Sequence, residues 1–194
     1  MQATVTNQIH TRNKIHPKKF GLLAACASIT MMFGAFTSAF LVRQAAGNWL
    51  EFALPGIFTL STVLIVASSI TLHGAFIAFK KGALPLYKGL LIATFALGLS
   101  FVVVQYEGWQ AMKDLLGLPL GTNPSSDFVY LISMIHAAHV VGGIAALLVA
   151  VIHAFTLTSG PTPTRKLRLE LTLIYWHFVD ILWVYLFVFM TLQS

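Results

Sequence analysis

FALPGIFTLSTVLIVASSITLHGAFIAF, residues 52–79, contains no charged side chain. At 1.5 Å per residue, a helix of roughly 20 mainly apolar residues crosses the ~30 Å hydrocarbon layer of a membrane. This run is longer than that, and Pro55-Gly56 lies close to its start, where a helix tolerates proline. The run therefore predicts a transmembrane helix.

Four further apolar runs meet the same criterion. The uncharged stretch between Asp127 and Arg165 exceeds one span, but Ser159-Gly160-Pro161 is a turn signal that ends its helix. We therefore predict an all-α, polytopic membrane bundle of about five transmembrane helices, formed by residues 18–194 behind an N-terminal arm at 1–17. The five predicted helices lie at about 20–43, 54–79, 87–110, 128–157 and 168–192.

The composition also places the chain in the membrane class. Of its 194 residues, 57% are apolar and 9% are charged, and the mean hydropathy is +0.81, whereas roughly a quarter of a soluble domain is charged. The net charge of +6 comes from basic residues in short stretches between the apolar runs, which indicates an orientation signal and no nucleic-acid surface. The single Cys26 lies within an apolar run, so it offers neither a disulfide framework nor a thiolate metal site.

Lysine and arginine are distributed unevenly between the two sides of the predicted bundle. The N-terminal arm, the second loop and the fourth loop carry ten of them, and only Arg43 and Lys113 lie on the other side. Basic loops are retained in the cytoplasm, so we expect a cytoplasmic N-terminus and a C-terminus outside. The first run, 20–42, is longer than the 7–15 residues of a signal-peptide core, so we expect it to be retained as a helix.

Ionisable side chains inside the hydrocarbon are the candidates for a functional site. An Asp at a helix centre costs about 2.5–3.5 kcal/mol on insertion scales, which favours a paired or functional side chain. Asp180 and His139 both come out near mid-depth. This predicts a pair between the last two helices, either as a structural hydrogen bond or as a proton-conducting group.

The histidines leave several binding alternatives open. His139 and His153 could hold two stacked haems on one helix, but no other helix carries a matching pair. His73, His153 and His177 come out nearer the cytoplasmic side, so two of them could bridge one haem. His136 and His139 share a helix face, but two neutral ligands without a carboxylate or thiolate form a weak metal site. The sequence has no phosphate-binding loop, nucleophile elbow or paired catalytic carboxylates, so we expect no catalytic, cofactor or metal site in this chain.

The last two predicted helices carry recognisable motifs. YWHFVDILW at 175–183, with Glu170 five positions before it, resembles the last-helix signature of cytochrome c oxidase subunit III. HAAHVVGG at 136–143 resembles the His-x-x-His-Val-x-x-Gly helix of the same family, and the Pro, Ser and Thr residues between Pro55 and His73 resemble its second-helix pattern. The resemblance covers nearly the whole chain and corresponds to the short, five-helix bacterial form.

The resemblance implies a non-catalytic subunit of a haem-copper terminal oxidase in the bacterial inner membrane. Its expected role is to stabilise subunit I during oxygen reduction coupled to proton translocation in aerobic respiration. Haem and copper are expected in the partner subunits I and II, and phospholipid on this chain. Whether the oxidase joins a larger respiratory supercomplex stays open. The residues expected to make structural, lipid or subunit contacts are His73, His136, His139, Glu170, Trp176, His177 and Asp180.

One position departs from the family pattern. In the helix that corresponds to the first predicted helix of this chain, the family commonly places a buried Glu directly after a Ser. Between Phe20 and Gly34 this chain has Ser28-Ile29 instead. We therefore do not expect a carboxylate near proton uptake at this position. Two other functional classes remain as alternatives: a b-type haem-binding electron-transfer subunit, and a small transporter. For a transporter we would expect discontinuous helices or repeated halves, and five spans do not divide into two halves.

Overall fold

A computed structural model of the chain describes residues 16–156 and 162–193. Within those ranges it contains five α-helices and no β-strand. All five are long and apolar enough to cross a membrane, which confirms the predicted all-α polytopic fold. The first 15 residues and the Ser159-Gly160-Pro161 turn lie outside the described residues. The helices are α1 (Pro17–Ala45), α2 (Ile57–Lys80), α3 (Leu84–Asp114), α4 (Pro124–Thr156) and α5 (Pro163–Gln193).

Local sequence signals explain where the helices begin and end. Asn123 precedes Pro124, the first residue of α4, and its side-chain oxygen accepts a hydrogen bond from the backbone N–H of Ser125 at 2.9 Å. After α2, Gly82 adopts a left-handed conformation (φ 74°), and the N–H of Ala83 donates to a carbonyl in the last turn of that helix at 3.0 Å. This tight turn lets α3 fold back along α2, and these two helices share the most extensive contact in the bundle.

Four of the helices form a closed ring, in which α2 packs against α3, α3 against α4, α4 against α5, and α5 against α2. Helix α1 lies outside this ring and, within the described part of the chain, packs only against α4 and α5. Lys19 contacts Glu170 where α1 and α5 begin, and Gln44 donates to the carbonyl of Gln193 where they end. Helices α1 and α5 therefore run in the same direction, and the chain passes up and down through the bundle.

The basic residues gather at one end of the bundle. The ammonium of Lys88, near the start of α3, lies 4.9 Å from an aromatic ring centroid in the last turn of α4. The guanidinium of Arg165, at the start of α5, lies 5.7 Å from the centroid of Phe79 near the end of α2. Arg43 and Lys113 lie in the last turns of α1 and α3, at the other end. The predicted orientation requires this segregation, although which end faces the cytoplasm stays a prediction.

The interior is aromatic, and the outside of the bundle is apolar as well. The largest fully buried side chains include Trp176, Trp183, Phe33 and Phe101. Large apolar side chains are also exposed along every helix, which suits a chain whose solvent is lipid. Examples on the five helices in order are Met31 (77% exposed), Ile70 (68%), Val103 (60%), Val149 (51%) and Ile181 (71%).

Candidate functional site

Trp176 fixes the spacing of three helices at the centre of the ring. Its indole N–H, on α5, donates to the hydroxyl of Ser68 on α2 at 2.9 Å. On α3 and α4 the indole lies against Gly98 and Gly143, where an added Cβ would be 2.9 Å from its ring carbons. The indole therefore occupies space that only glycine leaves free, which explains why small residues stand opposite it.

His136 lies in the aromatic interior, at the same depth as a second buried polar side chain. Its ring is fully buried and 4.9 Å from the indole of Trp183, measured between centroids. Gln105 on α3 is also fully buried, and within the described residues neither side chain has a hydrogen-bond partner. The hydrogen bond from the indole of Trp109 to Ser133 (2.9 Å), one turn along each helix, places Gln105 and His136 at the same depth. Gln105 was not predicted as a site residue, because a single glutamine in an apolar helix indicates no particular chemistry.

A chain of polar groups connects α2 and α5 on the outside of the ring. The hydroxyl of Ser69 and Nδ1 of His177 form a hydrogen bond, and Nε2 of His177 lies 3.4 Å from Nδ1 of His73. His177 is partly buried, whereas His73 is exposed. Both histidines lie seven residues from a charged group at the basic end, Lys80 on α2 and Glu170 on α5. At 1.5 Å per residue they lie about 10 Å deeper along the helix axes.

Asp180 is buried behind this polar chain, with 4% of its surface exposed. It lies four residues after Trp176 and three before Trp183, on the side of α5 from which both indoles donate to hydroxyls of α2. Neither carboxyl oxygen, however, has a hydrogen-bond partner in the part of the chain that the structure describes. Asp180 therefore faces α2.

The predicted pair between His139 and Asp180 is wrong. Nδ1 of His139 lies 2.7 Å from the carbonyl oxygen of Ile135 on its own helix, and its ring contacts Phe33 of α1 at 5.8 Å. The depth of both residues suggested the pair, but the two side chains point to different neighbours, His139 towards α1 and Asp180 towards α2. Tyr175 makes the contact between α4 and α5 at this level, since its hydroxyl donates to the carbonyl of His139 at 3.1 Å.

The other histidines bear on the haem and metal alternatives. The rings of His73 and His177 contact each other directly, with centroids 5.6 Å apart, so there is no gap between them for a haem macrocycle. His153 lies apart from them near the end of α4, where its carbonyl accepts from Arg165 at 3.4 Å. Residues 16–156 and 162–193 contain no group of three or more His, Cys, Asp or Glu that could hold a metal ion.

Comparison with known proteins decides the family. Residues 3–194, almost the whole chain, match the family model described as cytochrome c oxidase subunit III. The chain belongs to this family. A probable cytochrome c oxidase subunit 3 of Nocardia farcinica is 30% identical over 196 residues, covering 95% of this chain and 92% of the relative. Relatives in Mycobacterium tuberculosis (30% identical; 94% of this chain, 91% of the relative) and Thermostichus vulcanus (28% identical; 96% of both chains) are similar over most of their length.

This subunit III has a groove of about 270 Å³ at its basic end, between α4 and α5. Its floor is mainly apolar and includes Phe79 and Val149. Three basic side chains also line it: His153, Arg165 and Arg168. An apolar floor beside basic groups is the combination that an anionic lipid requires.

Ile29 follows Ser28 in α1, where the family pattern given above has a buried glutamate. The side chain packs against the hydrophobic core of the bundle. The neighbouring hydroxyl of Ser28 donates to the carbonyl of Ala24 in the same helix at 3.1 Å. In this subunit III, the position therefore contributes apolar packing to α1 where a carboxyl group is usual.

Proposed function

We propose that this chain is the non-catalytic subunit III of a bacterial haem-copper oxidase of the cytochrome c type. It stabilises subunit I during oxygen reduction, which is coupled to proton translocation in the aerobic respiratory chain. Haem and copper belong to the partner subunits I and II. The single observation that carries the proposal is the family match over residues 3–194, and bacterial relatives of the same length support it.

The way this chain uses its polar side chains supports a structural role. The indoles of Trp176 and Trp183 both donate from α5 to hydroxyls of α2, at 2.9 and 3.0 Å. Tyr175 joins α5 to α4, and Tyr185 joins α5 to Thr37 of α1 at 3.2 Å. Hydrogen bonds between membrane helices contribute on average about 0.6 kcal/mol each. Four of them on one helix hold α5 against every neighbour, which gives a partner subunit a rigid surface.

The groove at the basic end is the proposed phospholipid site. Arg165 and Arg168 line the groove. With the basic end in the cytoplasm, they bind the phosphate of an anionic lipid in the cytoplasmic leaflet. Acyl chains fit the apolar floor between α4 and α5. The proposed location is the bacterial inner membrane, with the N-terminus in the cytoplasm and the C-terminus in the periplasm.

The proposal is tested by purifying the chain with its natural partners. An N-terminal tag, mild detergent and mass spectrometry identify the proteins and phospholipids that co-purify. Reduced-minus-oxidised spectra are recorded for the complex and for this chain separated from it. We expect oxidase subunits I and II, with haem in the complex and none on the isolated chain. Haem retained by the isolated chain would favour a b-type cytochrome, and a preparation with neither haem nor oxidase subunits would favour a transporter.

A further inference from the structure

Three polar side chains lie fully buried inside the closed ring of α2, α3, α4 and α5. They are Ser61 on α2, Gln105 on α3 and His136 on α4, and each is 0% exposed. We call these three side chains the buried layer. Aromatic rings surround it, since the imidazole of His136 lies 6.1 Å from the ring of Phe101 and 4.9 Å from that of Trp183, measured between centroids. Neither phospholipid nor a side chain of a partner subunit therefore reaches these polar groups.

Packing between the helices places the three residues at one depth. A Cβ added to Gly108 would lie 3.1 Å from the ring of Phe58, so these positions of the antiparallel helices α3 and α2 lie opposite each other. Gln105 lies three residues before Gly108, and Ser61 lies three residues after Phe58, so both lie one turn farther along on the same helix faces. The indole hydrogen bond between α3 and α4 described above places His136 at that depth as well.

Four polar atoms of the buried layer have unused hydrogen-bonding capacity. They are Oε1 and Nε2 of Gln105 and the two ring nitrogens of His136, and none has a partner in residues 16–156 or 162–193. Ser61 differs, because its hydroxyl donates to the carbonyl of Phe58 at 2.8 Å. Its oxygen can still accept a hydrogen bond. The buried layer therefore offers donors and acceptors from three neighbouring helices.

Other buried polar side chains inside the ring show the usual outcome. The indoles of Trp176 and Trp183 each reach a hydroxyl of α2, at 2.9 and 3.0 Å. Buried polar groups in folded proteins are almost always bonded to protein or to an ordered water molecule. Gln105 and His136 lie at one depth, yet no hydrogen bond joins them directly. A small hydrogen-bonding molecule held between them satisfies both.

We propose that the buried layer binds at least one internal water molecule, which bridges Gln105, His136 and Ser61. A neutral imidazole has one donor and one acceptor nitrogen, and a glutamine amide has both kinds of group. A water molecule can accept from the amide of Gln105 while it donates to the free nitrogen of His136 and to the oxygen of Ser61. Three polar partners lie within the two to four that a buried water needs. The water then joins α2, α3 and α4 where no direct side-chain hydrogen bond does.

Electron cryo-microscopy of the purified complex tests the site, at a resolution that shows ordered water. We expect a separate density peak about 2.6–3.2 Å from the side-chain amide of Gln105 and from a ring nitrogen of His136. A direct hydrogen bond between these two side chains with no peak beside them would overturn the proposal. So would a layer that an apolar side chain fills. This measurement uses the unaltered chain, so it does not depend on how well any variant folds.

Thermal release of substituted chains from the complex gives an independent test. We expect Gln105→Leu and His136→Phe each to lower the release temperature by about 2–4 °C, because each leaves the water and its remaining partner poorly bonded. The double variant should lose less than the sum, since both residues act through the same water. Gln110→Leu is the matched control on α3, because Gln110 bonds only to Tyr106 of its own helix, at 2.8 Å, and we expect little change. Higher release temperatures for the single variants, as expected for polar groups that are unpaired in the native chain, or strictly additive losses, would overturn the proposal.

Discussion

At the scale of single residues, Gly143 sets how closely α4 approaches α5. A Cβ on Gly143 would lie 2.9 Å from two carbons of the Trp176 indole. We expect Gly143→Ala to displace the indole and to destabilise the subunit by about 1–3 kcal/mol, the usual cost of overpacking. Gly142→Ala is the matched control, because its Cβ would meet only the Tyr175 hydroxyl at 3.8 Å. Thermal release of the chain from purified oxidase measures both variants, and equal release temperatures would contradict the packing argument.

Replacement of Asp180 tests whether its buried carboxyl group has a structural or a catalytic role. The residue is 4% exposed and lies one turn after His177 on α5. We expect Asp180→Ala to weaken assembly with subunit I or to speed the loss of activity during turnover, with a smaller effect on the initial rate of oxygen consumption. The comparison is made on purified complexes with an oxygen electrode. Immediate collapse of the initial rate in a fully assembled complex would indicate a direct role in proton transfer.

At the scale of the helices, one ion pair fastens α1 to the rest of the bundle at the basic end. Nζ of Lys19 lies 2.6 Å from a carboxylate oxygen of Glu170, and the two side chains are 29% and 31% exposed. Partly exposed pairs contribute little, so we expect a coupling energy of about 0–1 kcal/mol, which falls with added salt. A double-mutant cycle with Lys19→Ala and Glu170→Ala on the thermal stability of the complex measures it. A coupling well above this range that does not change with salt would contradict the estimate.

Hydropathy predicted the number of helices but not their full length or their faces. Most of the observed helices begin before the apolar runs; α5, for example, begins at Pro163 and α4 at Pro124. Helix α2 is the exception, because it begins at Ile57, after Pro55-Gly56, and not at the predicted 54. The first turns of α4 and α5 precede the apolar runs, and they begin at proline residues, with the Asn123 cap in front of α4. The side that each helix turns towards its neighbours was not predictable either, because the five spans are apolar on nearly every side. That rotation separates His139 from Asp180.

For the site residues, the sequence indicated the approximate depth along each helix, and packing determined which side chains meet. His73 and His177 were placed correctly on the same side of mid-depth, and the structure brings their rings into contact. Ser69 joins α2 to His177, but in the sequence it is only one of the Ser and Thr residues between Pro55 and His73. A serine in a membrane helix usually bonds to its own backbone, so its sequence gives no sign that it bridges two helices.

At the scale of the whole molecule, the segregation of basic residues predicts one orientation in the membrane. Lys166 lies at the start of α5 and Lys113 in the last turn of α3, at the other end of the bundle. We expect Lys166→Cys to react with an impermeant thiol reagent only from the cytoplasmic side, and Lys113→Cys only from the periplasmic side. The native Cys26 is 7% exposed and adds little background. The reverse labelling pattern would contradict the orientation.

In our proposal the whole subunit preserves a catalytic partner and does no redox chemistry itself. The five-helix bundle fixes α5 to each of its neighbours through hydrogen bonds to α1, α2 and α4. The most direct test follows oxygen consumption over many turnovers by the oxidase purified with and without this chain. We predict equal initial rates and equal haem spectra, and much faster inactivation of the oxidase that lacks the chain. Equal lifetimes of the two preparations, or loss of the initial rate and of haem on removal of the chain, would contradict the account.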